Sequence, residues 1–309
     1  MFFRSAFSHV KLPLVVALTL IATSCQSQPP SSSGSPAQSA TPAGPQTTWE
    51  RIQEEGSITF AHGGEPPYGF EEAGEVTGSD PETLKAIMAG YGITNTEGLL
   101  VDFAGLIPGL LAERFDVVAA GVGITPERCE QVAFANPIAE VHTGLAVKAG
   151  NPKNLHSLED IASDPSATVA APEGALQIAW LTAAGVADEQ VLKFPNAQTQ
   201  MQALQADRVD AAIMFLPLIE EQMRVLNDPS IELADPFETP TTAEGRPGIT
   251  FWALVVRQDD TDLLDALNEG MAELHSSGAL LGILEDWGYA ESALPSPDLT
   301  AEQVCAGDF

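Results

Sequence analysis

The sequence predicts an α/β protein built from two successive units in which strands alternate with helices. Short apolar runs bounded by turn residues alternate with amphipathic stretches, a pattern typical of mostly parallel sheets covered by helices. The pattern restarts after a strand predicted at 144–147, and each unit of about 100 residues has an ordinary domain size. Hydrophobic residues make up 44% of the 309 residues, which is enough to form a core.

The first unit begins near Trp49. We expect the helix after its first strand to start with Asp80 as N-cap and Pro81 at the first helical position. The predicted strands are 57–62, 99–101 and 116–120, and the predicted helices are 81–91 and 104–115.

The second unit repeats the alternation and is followed by a strand that we expect to return to the first unit. Its predicted strands are 144–147, 167–171, 191–194, 210–214 and 231–233, and its predicted helices are 157–163, 175–184, 199–206 and 218–226. The returning strand is predicted at 249–256, with helices at 260–275 and 278–287 after it.

The N-terminus has the features of an export signal. Basic residues precede an apolar run at 12–22, which is short for a membrane span and ends in Ala22-Thr23-Ser24-Cys25. This ending resembles a bacterial lipobox, so we expect residues 1–24 to be a lipoprotein signal peptide and Cys25 to be lipidated. The alternative is ordinary signal cleavage beside an incidental cysteine.

The segment after Cys25 is predicted to be a flexible tether. Up to Thr48 it consists almost wholly of Ser, Pro, Gly, Ala, Gln and Thr, a composition that cannot bury enough apolar surface to offset the entropy of ordering. Residues 25–48 therefore form a lipid-anchored linker. We expect a protein at the outer face of the cell membrane, or in the periplasm, that contacts the membrane through this anchor alone.

Charge and cysteine content limit the possible partners. Asp and Glu number 43 against 13 Lys and Arg, for a net charge of −30, which argues against nucleic-acid binding. The carboxylates form either a hydrated surface or an acidic mouth for a cationic ligand. Five histidines without ligand-like spacing predict no metal, and no cofactor is expected. Cys129 and Cys305 remain as an even pair in an oxidising compartment, so we predict a disulfide, with two free buried thiols as the alternative.

Several motifs together resemble those of family 3 solute-binding proteins, the polar amino-acid receptors of ABC importers. The matching segments are 102–110, 115–117, 120–128, 151–152, 208–212 and 273–280. Within the family, Glu65-Pro66-Pro67-Tyr68, Pro126-Glu127-Arg128-Cys129 and Cys305 are most similar to the ectoine/hydroxyectoine-binding branch.

The resemblance implies a periplasmic-binding-protein type II fold, with two Rossmann-like lobes joined by a two-strand hinge. Lobe 1 would comprise 49–146 and 250–309, and lobe 2 would comprise 147–249. The resemblance also implies a monomer that delivers a small ligand to an ABC permease in the membrane. Hinge closure near Val147 and Phe251 would trap the ligand.

The resemblance also implies ligand-binding residues in lobe 1. Arg128 would grip a carboxylate, since a guanidinium fork matches that group. Glu65 and Tyr68 follow the first strand, where ligands bind in such folds, and Phe103 takes the position of an aromatic cleft wall. The alternatives are a surface ion pair for Arg128, a rigid turn with a packing aromatic for Glu65 and Tyr68, and core packing for Phe103.

Two departures from the family pattern bear on the ligand. Gly123 stands where the ectoine branch has another cage aromatic. Amino-acid receptors usually have an Asp after the strand at Asp210, whereas 213–217 contains no acid. This favours a delocalised cation facing Phe103, Tyr68 and Phe215 over a primary ammonium. Core packing is the alternative for Phe215. In lobe 2, Glu173 either contacts the ligand or only favours a helix N-terminus.

We therefore expect a receptor for a small zwitterion such as ectoine or hydroxyectoine. A polar amino-acid receptor of the same family is the first alternative. A cyclohexadienyl-dehydratase-like enzyme with Glu173 as general acid is a second, and a sensory module acting through a partner is a third.

Overall fold

The structure is a computed structural model that describes residues 46–241, 245 and 248–308. The predicted signal peptide, the predicted lipidation site Cys25 and all but the last residues of the predicted linker lie outside the described residues. In the described part of the chain, no helix is both long enough and apolar enough to cross a membrane.

The described elements alternate along the chain as the sequence predicts. The strands are β1 Ser57–His62, β2 Phe70–Glu72, β3 Glu75–Thr77, β4 Asn95–Leu100, β5 Val117–Val118, β6 Ala133–Phe134, β7 Ala139–Lys148, β8 Val169–Pro172, β9 Val191–Phe194, β10 Ala211–Phe215, β11 Ile231–Leu233, β12 Ile249–Trp252 and β13 Val255–Val256. The helices are α1 Thr48–Glu55, α2 Ser79–Gly90, α3 Leu106–Leu111, α4 Pro126–Cys129, α5 Leu158–Ser163, α6 Gln177–Ala183, α7 Ala197–Gln205, α8 Leu216–Leu226, α9 Thr261–Ser277, α10 Ala279–Asp286 and α11 Ala301–Ala306.

Two large sheets form the centres of the two α/β halves. The first has the order β4-β1-β5-β13-β6, and the second has the order β11-β7-β10-β8-β9. Parallel pairs join β4, β1 and β5 in one sheet and β10, β8 and β9 in the other. The sheets are mixed rather than mostly parallel, because β7 and β13 pair antiparallel with their sheet neighbours.

Two antiparallel strands connect the sheets. Residues 139–142 of β7 pair with β12, and the rest of β7 enters the second sheet beside β10 and β11. The strand predicted at 249–256 is divided into β12 and β13, because Trp252 pairs with Ala139 of the connection whereas Val255 pairs with Val118 of the first sheet.

Two differences from the predicted helices bear on the site. Helix α2 starts at Ser79, and Asp80 is not its N-cap: the buried Asp80 carboxylate accepts hydrogen bonds from Gly121 N at 2.7 Å and Trp252 Nε1 at 2.9 Å. The predicted helix 104–115 is a short 3₁₀ turn followed by α3, which ends at Leu111. The chain then turns away through Glu113, whose φ is 55°.

A disulfide ties the C-terminal helix to the first half. Cys129 ends α4 and Cys305 lies in α11, and the structure joins their sulfurs across 176 residues with a Cα–Cα distance of 6.0 Å. Val304 of α11 packs in the same apolar cluster as Phe134 and Phe251. The covalent link therefore anchors the tail next to the helix that carries Arg128.

Candidate ligand-binding site

A cavity lies where the carboxyl ends of the central parallel strands in the two halves face each other, the position at which open α/β sheets bind ligands. From the first half it is lined by Glu65, Tyr68, Phe103, Ala120, Gly121 and Arg128. From the second half it is lined chiefly by Pro172, Leu176, Gln177, Met214, Phe215 and Leu218. Five of the six ligand-binding residues predicted from the sequence thus meet at one cavity.

A tight turn after β1 brings Glu65 and Tyr68 to this cavity. Glu65 N donates to Gly69 O at 3.0 Å, and Tyr68 N and Gly69 N both donate to Glu65 O. The Tyr68 ring packs edge-on against Trp252, with centroids 5.3 Å apart, and against Phe215 at 6.4 Å. The turn and the ring contacts position Tyr68 as part of an aromatic wall of the cavity.

Arg128 is held at the cavity by short, local constraints. Thr125 caps α4 by accepting from Arg128 N, and the guanidinium donates from Nη1 to Gly123 O at 2.7 Å and from Nη2 to Gly174 O at 3.0 Å. Its central carbon lies 5.6 Å from the Phe103 ring centroid. Within the described residues, no carboxylate forms an ion pair with Arg128.

Burial affects the pKa of Arg128. Desolvation, partly offset by Glu127, lowers the pKa of the guanidinium to about 10, so it stays protonated at neutral pH. A desolvated cation that bonds two carbonyl oxygens and faces a ring, with no carboxylate of the described residues in an ion pair with it, is suited to pairing with an incoming carboxylate.

Glu65 brings a carboxylate to the same cavity, opposite in charge to Arg128. Burial, partly offset by a hydrogen bond from Ala197 N, raises the pKa of Glu65 to about 7. That bond is 2.6 Å long and runs from the first residue of α7 to Oε1. No cationic side chain of the described residues forms an ion pair with Glu65, so its carboxylate is suited to a cation on a ligand.

The second half supplies an apolar wall. Met214, Phe215 and Leu218 line the cavity where amino-acid receptors were expected to have an acid. A Cβ added to Gly123 would lie 2.7 Å from Leu176 Cδ2, which means that Leu176 occupies the space of the aromatic side chain expected at Gly123. An aliphatic side chain from the opposite half therefore replaces that wall.

Glu173 departs from the prediction. It is exposed and does not line the cavity, because its backbone is held at the edge of the sheet by a hydrogen bond from Glu173 N to Phe194 O, and the chain then turns at Gly174 with φ of 77°. Arg128 therefore bonds the backbone of this turn, at Gly174 O, and not the Glu173 side chain.

Gln177 is a cavity residue that the sequence prediction missed. It is only 2% exposed and lines the cavity, although it is polar and opens α6. A signal was present: Gln177 shares one helical face with Trp180 and Leu181, at spacings of three and four, and both of these side chains are buried.

Two α/β lobes that meet over a cavity lined by a half-buried cation, a carboxylate and aromatic rings define a two-lobed binding protein of the periplasmic-binding-protein type II fold. The chain belongs to family 3 of the bacterial extracellular solute-binding proteins, whose model matches residues 58–290.

Individual relatives agree with this assignment. A probable amino-acid ABC transporter periplasmic-binding protein of Sinorhizobium fredii is 32% identical over 263 residues, covering 84% of this chain and 86% of the relative. The crystal structure of EhuB in complex with hydroxyectoine matches with a TM-score of 0.75 and 31% identity, over 84% of this chain and 97% of that one. An ancestral arginine-binding protein bound to arginine matches with a TM-score of 0.65 and 29% identity, over 76% and 99%.

Proposed function

We propose that this protein captures a small zwitterion resembling ectoine or hydroxyectoine and delivers it to an ABC importer. One observation carries the proposal: Arg128 and Glu65 line the same cavity, and neither has an ion-pair partner among the described residues. A ligand with a carboxylate and a cation would supply both partners at once. Burying either charge without a partner is costly, so such a ligand would be favoured over a neutral one.

The aromatic and apolar walls favour a delocalised cation. Tyr68, Phe103 and Phe215 offer ring faces and edges, whereas the second-lobe wall of Met214 and Leu218 offers no acid to an α-ammonium group. The similarity to EhuB bound to hydroxyectoine supports this choice. A polar amino acid is the alternative, since the arginine-binding relative shares the fold and Glu65 is available for a basic group.

We propose that capture works by closure of the two lobes. Glu65 contacts Ala197 N, and Arg128 contacts Gly174 O, so each charged cavity residue of the first lobe also bonds the second lobe. Val147 lies inside the second sheet, paired with Ala211 and Glu232, so bending would occur nearer residues 139–142 and 249–252. A permease that recognises the closed form would sense the ligand through this population shift.

The lipid anchor, the monomeric state and the lobe boundaries predicted from the sequence are part of the same proposal. A tether that starts at a lipidated Cys25 would keep the binding lobes beside a permease in the membrane. The enzyme alternative depended on Glu173 as a general acid, and its place outside the cavity lining leads us to favour binding without catalysis.

Isothermal titration calorimetry of the purified protein with ectoine, hydroxyectoine, glycine betaine, arginine and glutamine tests the proposal. We expect the cyclic zwitterions to bind and Arg128→Ala to abolish the heat of binding. Binding of arginine or glutamine alone would replace the proposal with the amino-acid alternative. Binding of none of these compounds would overturn it.

A further inference from the structure

We propose that Gln177 hydrogen-bonds an uncharged polar group of the ligand, so that the cavity selects a hydroxylated zwitterion over the same molecule without the hydroxyl. The inference rests on the proposed function and adds a selectivity rule to it. It assigns a third recognition element beside the carboxylate-binding Arg128 and the cation-binding Glu65.

The state of the Gln177 side chain supports this assignment. It is 2% exposed, it lines the cavity, and its amide makes no hydrogen bond to any described residue. Neighbouring cavity side chains of the second lobe, Leu176, Met214 and Leu218, cannot satisfy it. Because a ligand that fills the cavity would exclude water from this amide, a ligand that supplies a hydrogen-bond partner gains affinity relative to one that does not.

Other buried glutamines of the described residues do not line the cavity. Gln190 is fully engaged: its Nε2 donates to Ile161 O, Asp164 O and Ala167 O, and its Oε1 accepts from Ala187 N. Gln200 is buried without a partner among the described residues, but it does not line the cavity. Gln177 alone of these three faces the space in which a ligand would lie.

The chemistry of an amide indicates which ligand group fits. An amide is neutral and both donates and accepts, so it pairs well with a hydroxyl, which does the same. It cannot neutralise a charge, and the charged ends of a zwitterion already have Arg128 and Glu65. A site built to bond a hydroxyl discriminates against the analogue that lacks it, because the amide is then left unpaired.

Calorimetric titration of the purified protein with ectoine and hydroxyectoine tests the inference. We expect the native protein to bind hydroxyectoine about five- to tenfold more tightly, the value of one buried hydrogen bond. Gln177→Met, which keeps the length and apolar packing, should weaken hydroxyectoine binding relative to ectoine binding and bring the ratio of the two Kd values close to one. Gln200→Met, which removes a buried amide away from the cavity, should keep the native ratio.

The possible outcomes distinguish a failure of the role given to Gln177 from a failure of the proposed zwitterion binding. Equal affinities for both compounds in the native protein, or a ratio unchanged in Gln177→Met, would overturn the role of Gln177 while leaving the zwitterion receptor intact. Binding of neither compound would overturn both. If Gln177→Met fails to fold by circular dichroism, Gln177→Asn draws the amide back from the cavity and is expected to lower the ratio in the same direction; an unchanged ratio there also overturns the inference.

Discussion

Glu65 Oε1 accepts a 2.6 Å hydrogen bond from Ala197 N, so a carboxylate of the first lobe meets the first residue of helix α7 in the second lobe. The helix N-terminus favours the ionised carboxylate, whereas burial opposes ionisation more strongly. The same group is therefore poised between two protonation states near neutral pH and also connects the lobes.

This arrangement predicts that ligand affinity depends on pH. Because the pKa of Glu65 is about 7 and a cationic ligand needs the ionised form, affinity should fall as the pH drops below 7, approaching about tenfold per pH unit. Titration calorimetry between pH 5 and 8 measures this. Glu65→Gln should bind more weakly and lose the slope, whereas Glu71→Gln on the exposed β2 should keep it. A flat native profile would contradict the role given to Glu65.

The same pKa has a consequence for stability. The folded-state pKa of Glu65 is raised above its ordinary 4.5, so the folded protein holds the proton more tightly than the unfolded chain. The stabilising contribution is complete below pH 4.5 and is lost as the pH rises through 7. Without ligand, Glu65→Gln should therefore raise Tm relative to the native protein more at pH 8 than at pH 5, by thermal denaturation. An equal effect at both pH values would refute the linkage.

The hydrogen-bonding geometry of the Arg128 guanidinium leads to a prediction about carboxylate recognition. Replacing it with Lys keeps the charge but loses the fork that bonds Gly123 O, Gly174 O and the incoming carboxylate together. We expect Arg128→Lys to weaken ligand binding by about 2–3 kcal/mol, a loss of roughly 30- to 150-fold. Arg224→Lys, on an exposed face and paired with Glu221, serves as the matched control. Native-like affinity in Arg128→Lys would mean that the carboxylate is bound elsewhere.

We expect the Cys129–Cys305 disulfide to stabilise the fold and to hold the helix that positions Arg128. Cys129 directly follows Arg128 in α4, so loss of its bond to Cys305 frees α11 and loosens the helix that positions the guanidinium. Cys129→Ser with Cys305→Ser should lower the free energy of unfolding by about 2–5 kcal/mol. Denaturant titrations with and without a reducing agent measure this, and the reducing agent should have no effect on the double variant. If the reducing agent leaves the native protein unchanged as well, the disulfide has no stabilising role.

How much of this could be predicted from sequence depends on the range of the interactions involved. Strands β1, β9 and β11 match their predicted bounds, because short apolar runs between turn residues define them locally. The β2–β3 hairpin was missed, since two three-residue strands leave little pattern. Asp80 followed by Pro81 fits the local pattern of a helix start. The Asp80 carboxylate instead accepts hydrogen bonds from Gly121 N and Trp252 Nε1, which are distant in sequence.

The candidate site shows the same division. Arg128, Glu65, Tyr68 and Phe103 follow motifs that are contiguous in sequence, and all four line the cavity. The replacement of an aromatic wall at Gly123 by Leu176 depends on how the two lobes meet, so only the folded chain reveals it.

That relationship between Gly123 and Leu176 gives a final prediction. Because a Cβ at position 123 would already lie 2.7 Å from Leu176 Cδ2, the large ring of Gly123→Phe should collide with Leu176 and hinder closure, weakening ligand binding. Leu176→Ala alone should also weaken binding by removing an apolar wall. The two changes combined restore both the space and a ring face for a delocalised cation, so the double variant should bind more tightly than either single variant. Titration calorimetry of the three variants measures the coupling. Additive losses would show that Leu176 does not take the place of the missing aromatic side chain.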